Sequence, residues 1–236
     1  SLAHLELLML NGQGKRAMAA ERARFWLARL SHNQTVPHEL LDFLRQVAAG
    51  RMGEAMTGFA RGIDPMVNGL VNAVQNLPTP VAHYSLTPQD GEAGPLRPDP
   101  LLQQLLETWE DRADEMPTLE EDLQWLAQNP VAYQSFDILE LWLADLDELP
   151  ELHGVEEAVF LPLLQHAEAI LRRVIAKHHA ETCRLEWGWH ENRPALRLME
   201  RLAMQYRELG RTAEAVQIMS WMVGMLNPHD NQGMRM

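Results

Sequence analysis

The stretch 199–228, MERLAMQYRELGRTAEAVQIMSWMVGMLNP, decides the fold class. Apolar residues recur every three or four positions on both sides of Gly210, the pattern of two amphipathic helices joined at a tight turn. Leu202, Ala203 and Tyr206 mark the inner face of the first helix: small Ala203 lets the two helices approach, and Tyr206 fills the crevice between them. Gly210 closes that helix, where a left-handed residue is needed. Glu214 and Ala215 open the second helix, with Ala215 packing back, and Asn227-Pro228 stop it. One such hairpin cannot bury its apolar face alone and has to stack on neighbours.

Outward from this unit the same periodicity persists, and no convincing alternation of strand type accompanies it. Helices are expected at 2–10, 15–31, 37–49, after Gly50, and at 65–76 behind an Asp64 cap and Pro65. They resume at 99–114, 118–128, 130–148, 155–180, 195–209 and 211–226. Thr118 with Glu121 has the spacing of a capping box, and Asn192 followed by Pro194 suits a helix start. Pro162 implies a first-turn start or a kink in the 155–180 helix. Between Leu77 and Pro100 lie Pro78, Pro80, Pro88, Pro95 and Pro98 with Gly91 and Gly94, which no helix tolerates. The organisation expected is a helical region 1–77, a Pro/Gly-rich linker or long surface loop 78–98, and an acidic helical region 99–236. The fold class is all-α, built of antiparallel helical hairpins.

A short pattern repeats. Gly14-Lys15 precedes Ala19 by the offset at which Gly50-Arg51 precedes Ala55 and Gly210-Arg211 precedes Ala215. The first two glycines lie 36 positions apart, near the ~34-residue period of one class of helical repeat. With these residues in view, 195–228 resembles a tetratricopeptide (TPR-like) unit, and 227–233 is similar to the ending of some bacterial TPR-like proteins. One extra residue precedes Pro228, and Met199 stands where the family usually has Trp. The resemblance implies a superhelical or irregular array of helix pairs that presents Arg197, Glu200, Met204, Arg207 and Glu208 on a concave face. Family members that clamp a peptide carboxylate use Lys and Asn where Glu200 and Met204 stand, so that clamp is not expected.

Charge is unevenly spread. The net charge is −13, and residues 71–160 alone carry 2 basic and 19 acidic side chains. Such a surface repels a phosphate backbone, which argues against nucleic acid, and suits a solvated face or a basic protein or peptide partner. No apolar run approaches the roughly 18–20 residues of a membrane span. The lone Cys183 fits a reducing compartment, and no basic-then-apolar segment opens the chain, so the cytoplasm is the expected location.

His178, His179, Glu181 and Cys183 form the densest group of potential metal ligands, but no second pair stands at ligand spacing. Histidines ending a helix explain them, and no metal or other cofactor is expected. Arg173 and His178 resemble the Arg-x4–6-His signature of HEPN-type ribonucleases, which would make them the phosphate-stabilising and acid–base groups. The polar residue that usually follows the family's Arg is Val174 here. Asp137 with Glu140, and Asp145 with Asp147-Glu148, have the carboxylate spacing of a di-metal bundle, yet the Glu-x-x-His partner such sites require is missing. The sequence 186–194, EWGWHENRP, places Trp187 and Trp189 around a glycine, either as plugs between helical layers or as a recognition anchor. The expected function is a non-enzymatic protein-interaction scaffold contacting its partner through Trp187, Trp189, Arg197, Glu200, Met204, Arg207 and Glu208. The alternatives are the ribonuclease with Arg173/His178 and a structural module that self-associates into a homo-oligomer.

Overall fold

Gly14, Gly50 and Gly210 take φ values of +68°, +80° and +73°, where a Cβ would collide with the backbone. Each sits one residue before a bond that spans five positions: Lys15 N–H to Leu10 O, Arg51 N–H to Gln46 O, and Arg211 N–H to Tyr206 O. Each glycine N–H also reaches back three positions. Both bonds satisfy carbonyls that the ending helix leaves orphaned. Ala19, Ala55 and Ala215 follow at the same offset and are all buried. Arg51–Glu54 and Arg211–Glu214 repeat the same ion pair at 2.9 Å.

The computed structural model describes residues 3, 6–7, 10–11, 14–31, 36, 38–56, 65–89, 92–113, 115–149, 152, 155–178 and 184–226. The protein is mainly all-α. Its elements are α1 (Arg16–Leu30), α2 (His38–Ala48), α3 (Pro65–Gln75), β1 (Tyr84–Gln89), β2 (Glu92–Pro98), α4 (Pro100–Ala113), α5 (Leu119–Gln128), α6 (Phe136–Asp147), α7 (Glu156–Lys177), α8 (Arg193–Glu208) and α9 (Thr212–Trp221). Short 3-10 turns cover Pro130–Gln134 and His190–Asn192, and a π turn covers Met222–Leu226. The chain divides into two units, 1–71 with 150–159 and 72–149 with 160–236.

In the first unit α1 packs on α2, burying Ala19 and Ala23 of α1 and Phe43, Leu44 and Val47 of α2. Glu6 accepts from Arg22 Nε at 2.5 Å and from the Trp26 indole at 2.6 Å, which holds its carboxyl below the usual carboxylate range. Asp64 and Cys183, and with them the Asp64 cap and the Asn227-Pro228 stop, lie outside the described residues.

In the second unit α8 and α9 form the hairpin expected around Gly210. The inner face of α8 buries Leu198, Met199, Leu202, Ala203 and Tyr206. The Tyr206 hydroxyl accepts from Gln165 of α7 at 3.0 Å, and the Arg211 guanidinium lies 4.6 Å above its ring. The second helix ends as a regular α-helix at Trp221, and the Leu226 carbonyl of the π turn accepts from Leu185 N–H at 2.6 Å. Thr118 and Glu121 form the capping box of α5 in both directions. Pro162 lies inside α7 rather than in its first turn, so the Ala158 carbonyl lacks its usual i+4 donor.

The segment 78–98, expected as linker or surface loop, instead carries an antiparallel hairpin whose Tyr84, Leu86 and Leu96 are buried. Proline is tolerated because a two-stranded sheet consists of edges alone, and a register irregularity falls between Leu86 and Pro88. An isolated hairpin is marginal in water. Here neighbouring side chains pin it. The Tyr84 hydroxyl accepts from Phe136 N–H at 2.8 Å, and the two rings lie 4.7 Å apart. Gln134, almost wholly buried, accepts from Val81 N–H and donates to the Thr79 carbonyl. Lys177 Nζ and a ring nitrogen of His178 reach the Ala82 and Tyr84 carbonyls.

Candidate functional site: the tryptophan turn and its arginines

Asn192 decides the shape of the turn before α8. Expected as a side-chain cap, it occupies the cap position without capping. Its fully buried amide instead accepts from Leu96 N–H at 2.8 Å and donates to the Glu186 carbonyl at 3.0 Å. A buried Asn must satisfy both ends of its amide, and here it ties the β-hairpin to residues 186–192. The turn so fixed carries both tryptophans.

Trp187 is half-buried and Trp189 is 38% exposed. Neither is a wholly buried plug, the condition that would have removed the anchor reading. The guanidiniums of Arg193 and Arg197, one helical turn apart on α8, each lie 5.6 Å from the Trp187 ring. Arg193 Nε also donates to the Trp187 carbonyl at 3.1 Å. Cation–π contact of this kind contributes on the order of 0.5–1 kcal/mol at an exposed site. Arg197 pairs with Glu140 of α6 at 2.9 Å, and Arg201 pairs with Asp147 at 2.6 Å.

Glu200, Met204, Arg207 and Glu208 share the face of α8 that carries Arg197, within an arc of about 100° at 100° per residue. This arc lies opposite the buried stripe: Arg197, Arg207 and Glu208 are exposed, and Glu200 and Met204 are half-buried. The structure therefore joins Trp187 to Arg197 directly and leaves the other four extending along the same helix.

Beside the turn lies a cleft of about 270 Å³ lined by Glu110, Asp137, Glu140, Leu141, His190, Arg193, Pro194 and Arg197. Burial, reinforced by the charges of Glu140 and Glu110, pushes the Asp137 carboxyl up to about 6, although the helix start nearby opposes the rise. The cleft thus sets carboxylates against two guanidiniums, with an aromatic turn at its edge. His190 and Arg193 were not singled out from sequence. Asp137/Glu140 at i, i+3 and Arg193/Arg197 at i, i+4 each mark a helix face, but nothing local says that the two faces meet.

The other sequence candidates are dispersed. A His178 ring nitrogen lies 3.1 Å from the Tyr84 carbonyl, and Arg173 is exposed about 140° away around the α7 axis. His179, Glu181 and Cys183 lie outside the described residues, and among those described no three His, Cys, Asp or Glu side chains converge as a metal site. No helix among the described residues is long and apolar enough to cross a membrane. Comparison of the chain with protein families, with curated proteins and with solved structures yields no match.

Proposed function

We propose that this chain is a non-enzymatic, TPR-like interaction scaffold whose partner protein docks on the tryptophan turn and the outward face of α8. The observation that carries the proposal is Trp187 held beneath Arg193 and Arg197 while Trp189 stands exposed beside it. Tryptophan and arginine dominate interface hot spots because they combine a large apolar area with directional polar contacts. Holding both arginines in place before binding reduces the ordering entropy that association costs. The identical glycine turns at 14, 50 and 210 support the helical-repeat part of the proposal. The single Cys183 in 236 residues supports action in the cytoplasm.

The test is a photoreactive phenylalanine analogue at Trp189, introduced in the native host. A discrete crosslinked protein that disappears with Arg197→Glu is the expected result. If the crosslinked species are the same in the wild-type and Arg197→Glu backgrounds, or are absent from both, the docking face is elsewhere and the proposal fails. Light scattering on the purified chain distinguishes a foreign partner from a second copy.

A further inference from the structure

A second recess, separate from the tryptophan turn, lies where α4, residues 115–119 and α6 meet. It encloses about 340 Å³, within the range of small ligand sites, and is lined chiefly by Trp109, Met116, Leu119, Trp142, Leu146 and Leu149. Trp142 is 1% exposed, and among the described residues neither its indole N–H nor Arg112 Nε has a hydrogen-bond partner. Both nitrogens are sealed from solvent, so the recess offers a ligand the apolar ring faces rather than these donors.

The charges of the recess are lopsided. Its one lining guanidinium, Arg112, is already committed: Nη2 pairs with Asp122 at 3.0 Å, and the group lies 5.6 Å from the Trp125 ring. Asp145 and Glu148 also line the recess and make no ion pair among the described residues. At its mouth Met116 is 86% exposed with φ +51°, a left-handed backbone unusual for a side chain of this size. A flexible thioether held in water beside an apolar recess is characteristic of surfaces that mould to a partner.

We infer that this recess binds a short basic, leucine-type segment of a partner protein: the apolar side chain enters between Trp109, Leu146 and Leu149, and flanking cations meet Asp145 and Glu148. The two requirements are an apolar body and positive charge, and a basic–apolar peptide meets both. The inference rests on the scaffold proposal and adds a second contact with a defined chemistry.

The test uses the full chain, its tryptophan fluorescence, and acetylated, amidated pentapeptides. Lys-Leu-Lys-Leu-Lys should bind, Lys-Ser-Lys-Ser-Lys at least about fivefold more weakly, and Glu-Leu-Glu-Leu-Glu not at all. Asp145→Asn/Glu148→Gln should weaken the first peptide about fivefold. Met116→Lys, at an exposed site, removes the thioether and adds a repelling charge at the mouth, and should weaken it as well. Glu107→Gln/Asp111→Asn, exposed on α4 and outside the recess, should leave it within about twofold, which separates site binding from general attraction to an acidic protein. Equal binding of the leucine and serine peptides, wild-type affinity in Asp145→Asn/Glu148→Gln and Met116→Lys, or no binding at all overturns the inference. If the recess fails while the Trp189 crosslink persists, only this inference falls; if peptides bind but the crosslink is absent, the tryptophan-turn proposal falls instead.

Discussion

Asp137 shows how one residue can carry a measurable signature of its cleft. Its carboxyl is raised from 3.8 to about 6, so between those values the folded state binds the proton more tightly than the unfolded chain. The stability it contributes is therefore present below about pH 4 and lost as pH rises through about 6. Asp137→Asn should remove that loss. Urea unfolding at pH 4.5 and 7.5 should show the variant gaining roughly 1–3 kcal/mol on wild type at the higher pH. An unchanged difference between the two pH values would mean that the helix start compensates the burial in full. Asn192 offers a second residue-scale prediction. Asn192→Ala strands the buried Leu96 N–H and should cost about 2 kcal/mol in urea unfolding. A loss below about 0.5 kcal/mol would show that water replaces the amide.

At the scale of elements the three glycine turns and the capped helices were legible because their physics is local. A left-handed residue is needed one step past a helix end, and only glycine adopts that conformation without strain. Beyond its own and the adjacent residues nothing lies within 4 Å of the place where a Cβ at Gly210 would stand, so Gly210→Ala isolates the local backbone cost, expected at about 1 kcal/mol. Gly210→Asn should cost less, since asparagine tolerates that region. Gly188, equally open but outside the left-handed region, should accept Ala within about 0.5 kcal/mol. Thermal melts of the three variants check the order, which would be upset by Gly188→Ala proving the most damaging. The β-hairpin was not legible. Its prolines argue against strands, and what stabilises it comes from Gln134, Phe136, Lys177, His178 and Asn192, distant in sequence.

At the scale of the whole molecule the net charge of −13 sets how partners arrive. Association of the Lys-Leu peptide should slow about tenfold or more between low salt and about 0.5 M salt, because screening shortens the reach of the acidic region. Stopped-flow fluorescence measures this directly, and a salt-independent rate would assign the charge to solubility alone.

The sequence by itself determined the helical class, the glycine-closed hairpin and the Thr118 capping box. These follow from periodicity and from groups within a few residues of one another, whose energies do not depend on the rest of the fold. Only the tertiary structure decided that Trp187 lies under two arginines, that Arg197 meets Glu140, and that Trp109, Trp142, Asp145 and Glu148 line one recess. Those pairings join residues far apart in the chain. Their strength depends on burial and on the direction of each side chain, and neither exists until the helices have packed.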